Sequence, residues 1–320
     1  MQHVYIAACH ESGGIYHYTI NESGLLTEQS VTKLPAPMYL AREGDRMYAL
    51  LSQPFSTTKH SGLLTMYIDP SGNPVPGDGL YATRGLCACH LAVRNGITHV
   101  VNYLSGNVTR LPGGQLATHE GRGPHPTRQE CAHTHYVGYS PDGKYLLVTD
   151  LGIDAIVLYT PDLRECGRLS LPAGAGPRHL AFSPDGKLLY CANELSCSVS
   201  IFAYDGLASR LLETVPTLPP DFEGKNTTAA IRVVGDELFV SDRGLDAITV
   251  FRREGSTLTL SYRIPSGGAS PRDFNVTPDG KLLICTNESS DLVTVFAREN
   301  GKFERLVQTI SLPGPLCVIF

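Results

Sequence analysis

A small set of residues spread over the chain carries the side-chain chemistry of a catalytic pocket: His90, Tyr103, His133, His135, Arg178, His179, Glu194, Arg243, Arg272 and Glu288. Guanidinium forks match carboxylate and phosphate oxygens, and three of them facing one cavity would repel one another without an anion between them. An anionic ligand is therefore expected. A glutamate and histidines beside it supply general acid and base groups, because burial and neighbouring charge can tune either type towards neutral pH. Two other chemistries are weaker. The stretches "CACH" (87–90) and "CAHTH" (131–135) hold Cys89, His90, Cys131, His133 and His135, all transition-metal ligand types. Their spacing follows no standard zinc pattern, so no metal and no cofactor is expected. No "GxSxG" occurs and no cysteine sits in an electropositive motif, which argues against a Ser or Cys nucleophile.

Those residues need a scaffold that brings them together. The 320-residue chain holds 32 Gly and 22 Pro, with short runs of Val, Leu, Tyr and Thr and no long apolar stripe of helical period. That pattern predicts many short strands joined by turns. A net charge of -5 offers no field for a phosphate backbone, and no Lys/Arg run is interleaved with aromatics, so nucleic acid is an unexpected partner. The stretch "MQHVYIAACHESGG" lacks the basic and apolar regions of a signal peptide, and no run of about 18 apolar residues occurs. A cytoplasmic protein without membrane contact is expected. The nine cysteines lie in strand-like stretches such as "LLYCAN" and are expected to be reduced.

The strand-like stretches repeat. "HYVGYSPDGKYLLVTDLGIDAIVLYTPD" (135–162) aligns with "HLAFSPDGKLLYCANELSCSVSIFAYD" (179–205) and "DFNVTPDGKLLICTNESSDLVTVFARENG" (273–301). Each copy reads as a short strand, a Pro-Asp-Gly-Lys turn, a second strand ending in Asn or Asp, a polar loop and a third, alternating strand. Marking the end of the second strand gives Asp150, Asn193 and Asn287, weaker copies at Asn102 and Asp242, and degenerate ones near Cys9 and Ser52. Seven units with this period predict an all-β, seven-bladed β-propeller, read as one domain over residues 1–320. The first unit starts at its second strand, "VYIAAC", while "GPLCVIF" (314–320) repeats "GPRHLAF" (176–182) position for position. The C-terminal strand is therefore expected to pair with the N-terminal blade and close the ring.

In a propeller blade the start of the inner strand and the loop after the second strand lie on one face. Strand starts carry Met38, Cys89, His90, His133, His135, Arg178, His179, Arg272, Asp273 and Leu316, and the loops carry His10, Gln53, Tyr103, Leu151, Glu194, Arg243 and Glu288. The opposite face carries repetitive Asp-Gly-Lys turns. The recurrent Asn and Asp residues are read as loop formers that bond their own backbone.

The phrases "RQECAHTHYVGYSPDGKYLLVTDLG" (128–152), "GPRHLAFSPDGKLLYCANEL" (176–195), "LFVSDRGLDAITVF" (238–251) and "SPRDFNVTPDGKLLICTNESSDLVTVF" (270–296) resemble the seven-bladed propeller lactonases. That family includes the propeller-type bacterial 6-phosphogluconolactonase and the fungal carboxymuconate lactonising enzyme. With "HLAVRNGITHVVNYLSGNV" (90–108) the likeness spans about two thirds of the chain; "TTAAIRVVGDEL" (227–238), which lacks the His or Arg start and the PDGK turn, departs from it. The resemblance implies metal-independent chemistry on a sugar lactone or a related cyclic ester, which the arginines lead us to expect to be anionic, with His133 or His135, Arg178, Glu194 and Arg243 as catalytic residues. Arg272, His179, Tyr103, His90 and Glu288 are expected to bind substrate. Glu194 or one histidine would act as base and the other as acid. A lactone-forming cyclase or isomerase would use the same groups, and a non-catalytic binding propeller is the alternative from another class. Oligomeric state is left open.

Overall fold

The computed structural model describes residues 2–320, which form seven four-stranded antiparallel sheets. Blade 1 is built from Pro315–Ile319, Gln2–Ala8, Gly14–Ile20 and Leu26–Lys33, in that order from the centre outward. Blades 2 to 7 follow in sequence over 37–82, 88–118, 134–170, 177–216, 227–265 and 271–311. Each inner strand packs on the next all the way round, so the sheets form a closed ring about a central channel. The expected closure is present: Tyr5 pairs with Ile319, Ile6 with Val318 and Ala7 with Cys317, and Cys9 N–H donates to Gly314 O at 2.7 Å. No helix among the described residues is long and apolar enough to cross a membrane.

Between neighbouring blades the inward side chains interlock. Phe239, Phe274 and Phe303 pack with Ile248 and Val250 between blades 6 and 7, and Tyr190, Val199 and Ile201 pack with Leu238 and Val240 between blades 5 and 6. All of these side chains are sealed from water, which is how sheets with two apolar faces avoid exposing either.

The Pro-Asp-Gly-Lys turns share one construction. The Asp142, Asp185 and Asp279 carboxylates accept the hydroxyl of Ser140, Ser183 and Thr277 at 2.7, 2.6 and 2.6 Å, and each also accepts the backbone N–H of the following lysine. The glycine between adopts φ near +70°, a conformation that a side chain would strain. Blade 6 lacks this phrase because a two-residue turn, Gly235-Asp236, joins its first strands instead. Its loop still delivers Arg243 to the channel mouth.

The Asn and Asp residues ending the second strands are buried, and instead of bonding mainly their own backbone, as expected from the sequence, they bond chiefly other side chains; Asp150, which accepts from Gly152 N–H at 2.9 Å, does bond its own loop. Asp242 accepts from Thr217, Thr228 and Thr249, and Asn102 donates to Asn107 Oδ1 at 2.7 Å.

Candidate active site

One recurring irregularity places the site. In the inner strand of every blade, one or two residues opposite the end of the second strand are left out of the pairing ladder, forming a β-bulge that re-aims a side chain. Pro177 pairs with Asn193 and His179 with Ala192, leaving Arg178 unpaired between them. The same register step leaves out His135, Arg272, Cys89, Met38 and Leu316 in their blades. In blade 6 the register shifts by the same single residue, with Ala229 and Ala230 opposite Ser241, so no functional group stands at the bulge itself; Arg232, further along that inner strand, pairs with Asp273 at 2.8 Å. The residue after each bulge faces its equivalents in the channel. His90 lies 4.4 Å, ring to ring, from both Tyr39 and Tyr136, and His179 lies 5.1 Å from His90.

At the mouth is a cavity of about 280 Å³ lined by Cys87, Cys89, Tyr103, Arg128, His135, Glu194, Arg243 and Arg272. Below it a narrow space of about 20 Å³, bordered by Met38, Arg178, His179 and Leu316, leads into the channel. Glu194 is the hub. It is held by a backbone bond from its own N–H to Gly176 O at 2.7 Å, which ties the loop after the second strand to the turn before the inner strand. Its Oε2 lies 3.0 Å from Arg178 Nε and 3.1 Å from Arg243 Nη2, and its Oε1 lies 2.5 Å from Arg128 Nη2. Arg178 does not aim a hydrogen at that oxygen, so the contact is an ion pair without a hydrogen bond. Arg272 pairs instead with Glu288 at 3.0 Å.

Four guanidiniums around two carboxylates leave an excess of positive charge, and the Nε of Arg243 and the Nε and Nη1 of Arg178 are buried without a hydrogen-bond acceptor among the described residues. Burial pushes the Glu194 carboxyl up, but Arg243, Arg178, His135 and Arg128 outweigh it and hold the group well below the usual carboxylate range. Glu194 is thus an anion at any working pH and a weak base. Burial and the neighbouring Arg243 push Arg178 down to about 9, which leaves it cationic at neutral pH.

His135 differs from Glu194. Burial, then the charge of Arg178, lowers its pKa well below the ordinary value, so the ring is neutral at pH 7, and its Nδ1 has no partner. Burial followed by guanidinium charge acts in the same direction on His90 and His179. Because these three bind protons in the unfolded chain before they do in the folded one, stability is lost as pH falls below about 6.5, by up to about 2 kcal/mol per histidine between pH 7 and pH 5. We expect the melting temperature to drop over that interval, with protons taken up on unfolding at pH 5.5; a flat profile would contradict neutral burial of the cluster.

The expected site residues are brought together unequally. His135, Glu194, Arg243, Arg272 and Tyr103 line the mouth cavity, and Arg178 lies beneath Glu194. His90 and His179 sit deeper in the channel. Glu288 reaches the cavity only through Arg272. His133 is turned away: its ring stacks on Tyr103 at 4.5 Å, its Nδ1 meets Tyr103 O at 3.0 Å and its Nε2 faces Glu130. Arg128 and Cys87 are additional lining residues outside the sequence-derived set. Arg128 comes from the long connection between Gln115–Thr118 and Thr134–Tyr139, which is neither a strand start nor a loop after a second strand. Its signal was the length and polarity of that connection.

The comparisons with known proteins agree with this architecture. A family model described as "Lactonase, 7-bladed beta-propeller" matches residues 3–320. The 6-phosphogluconolactonase of Bacillus subtilis is 34% identical over 97% of this chain and 95% of its own length. Among solved structures, the periplasmic gluconolactonase PpgL of Pseudomonas aeruginosa superposes with a TM-score of 0.89 at 26% identity, covering 99% of this chain and 98% of that one. A putative 6-phosphogluconolactonase from Bacteroides fragilis gives a TM-score of 0.87 at 26% identity, covering 99% and 97%. With its ring of seven blades matched from end to end, the chain belongs to the seven-bladed β-propeller lactonase family.

Proposed function

We propose that the protein hydrolyses the ring ester of an anionic sugar lactone, of the 6-phosphogluconolactone kind, in the mouth cavity. The observation that carries this reading is the surplus of guanidinium charge, with Arg128, Arg178, Arg243 and Arg272 set around only two carboxylates, Glu194 and Glu288. Arg272 and Arg128, both lining the cavity and both partly exposed, are the groups for the substrate's phosphate or carboxylate. Arg243, between Glu194 and the cavity, is the group for the oxyanion that develops on the ring carbonyl.

His135 is the general base. Its basicity is suppressed first by burial and then by Arg178, Arg272 and Arg243, and an anion bound among those guanidiniums offsets the part due to charge. It takes a proton from water as the oxygen attacks the carbonyl. The imidazolium then returns the proton to the ring oxygen as the C–O bond breaks, giving the open-chain acid. Glu194 stays ionised throughout, stabilising the imidazolium and fixing the arginines, so its role is electrostatic positioning. Arg178 acts through Glu194 and is a positioning residue.

The test is a proton-release assay with 6-phosphogluconolactone, unphosphorylated gluconolactone and carboxylated lactones, each with and without a chelator. We expect the phosphorylated or carboxylated lactones to be preferred by at least about tenfold in kcat/KM, undiminished by chelator, and Arg178→Ala to cost far more than Arg252→Ala. Arg252 is 62% exposed and pairs only with surface carboxylates. Equal rates on charged and uncharged lactones would remove the anion from the proposal, and equal losses in the two variants would remove Arg178.

A further inference from the structure

We propose that Glu130, Cys131 and His133 form a site for a divalent cation of the zinc class on the rim of the channel mouth, outside the cavity where the lactone is read to bind. The tautomer of His133 is fixed by geometry. Its Nδ1 lies 3.0 Å from the backbone carbonyl of Tyr103, and since a carbonyl can only accept, Nδ1 carries a hydrogen; in the neutral ring the lone pair is therefore on Nε2. That lone pair faces Glu130 Oε1 at 3.3 Å and Cys131 Sγ at 3.7 Å, and the three ligand atoms all lie within 4.8 Å of one another. A neutral imidazole gains nothing from a carboxylate oxygen, because both are acceptors.

A cation between them resolves the conflict. In a tetrahedral zinc site, bond lengths of about 2.05 Å to nitrogen and oxygen and about 2.3 Å to sulfur place N and O about 3.4 Å apart and N and S about 3.6 Å apart. The observed separations differ from these by about 0.1 Å. The hydrogen bond from Nδ1–H to a backbone carbonyl is the outer-shell partner that a metal-bound histidine usually has. Thiolate, imidazole and carboxylate together suit a borderline-soft cation better than a hard one such as magnesium. A water would complete the fourth position.

The flanking chain holds the ligands in place beforehand. Gln129 is buried and donates to Leu151 O at 2.8 Å and to Asp154 Oδ1 at 2.7 Å, while His133 N–H donates to Asp150 Oδ1 at 2.7 Å. Between these anchors Cys131 passes so close to Gly152 that a Cβ there would stand 1.9 Å from Cys131 O. Glu130 and Cys131 are exposed, which gives the ion an entry path. The "CAHTH" stretch carried no standard zinc spacing because the third ligand, Glu130, lies just before it and His135 points elsewhere. Binding displaces the thiol proton, so one proton is released per ion.

The experiment uses the full-length, metal-free protein titrated with Zn2+ against a chromophoric chelator, and with Co2+ as the spectroscopic probe. We expect one ion per chain, release of about one proton per ion, intense visible bands of tetrahedral cobalt and a near-ultraviolet thiolate-to-cobalt band. Cys131→Ser should abolish the thiolate band, and Cys131→Ser and Glu130→Gln should each weaken zinc binding at least about tenfold, with Cys87→Ser unaffected. Zinc should raise the melting temperature of the wild type and not of Cys131→Ser. A weak octahedral cobalt spectrum, unchanged affinity in Cys131→Ser, or no binding at all would overturn the site. These readouts do not depend on lactone turnover, so they stand or fall separately from the hydrolytic reading.

Discussion

Replacing His135 by Gln lowers kcat on the preferred lactone by about 10²- to 10⁴-fold, the range that a positioned general base supplies, with KM changed little. The expectation rests on three features of this side chain. It is left out of the strand ladder by a bulge, it lines the mouth cavity beside Glu194, and its Nδ1 has no partner. Gln keeps a polar group of similar reach but cannot take a proton from water. The acid limb of the pH profile of kcat should vanish with it, whereas a purely structural loss would lower the melting temperature and leave the limb in place. His133→Gln serves as the contrast, since its ring lies behind Tyr103 and should cost far less in kcat. If the two variants fell equally, or His135→Gln lost less than about tenfold, the base would have to be another group.

Deleting residues 314–320 yields insoluble protein. The strand Pro315–Ile319 supplies the inner edge of blade 1, and its Cys317 and Val318 side chains are fully buried, with Leu316 nearly so. Fully burying an apolar side chain contributes roughly 1.5–3 kcal/mol. The deletion also uncovers Tyr5, Ile6 and Ala7 and opens a strand edge, so the loss is comparable to the whole net stability of a domain, about 5–15 kcal/mol. A circular permutant that carries the same seven residues ahead of Gln2 through a short flexible linker should recover soluble protein, because it restores the pairing of Ile6 with Val318. Soluble, fully active truncated protein would show that closure is dispensable.

Much of the architecture was legible because repetition is a linear property. The Pro-Asp-Gly-Lys turns are local, held by a carboxylate two residues from the hydroxyl it binds, and they recur with the same residues wherever the same bonds form. Blade 6 shows the limit: a two-residue hairpin meets the same need with different residues, so the phrase disappears while the blade stays. The terminal match was readable for a similar reason, since "GPLCVIF" answers the same packing demands as "GPRHLAF".

The sequence by itself determined the number of blades, the closure of the ring and the kinds of side chain at one face, because each follows from short-range pattern. Tertiary structure alone decided which of them meet. His133 and His135 are two residues apart and equivalent by type, yet the bulge opposite Asp150 sends His135 to the cavity and leaves His133 against Tyr103. Glu194 looked like a base in isolation; three guanidiniums from other parts of the chain make it a fixed anion instead. Arg128 lies 66 residues from Glu194 along the chain and joins it only when the ring closes around the channel. Register and long-range charge belong to the folded ring, where a one-residue slip or a distant guanidinium changes what a side chain can do.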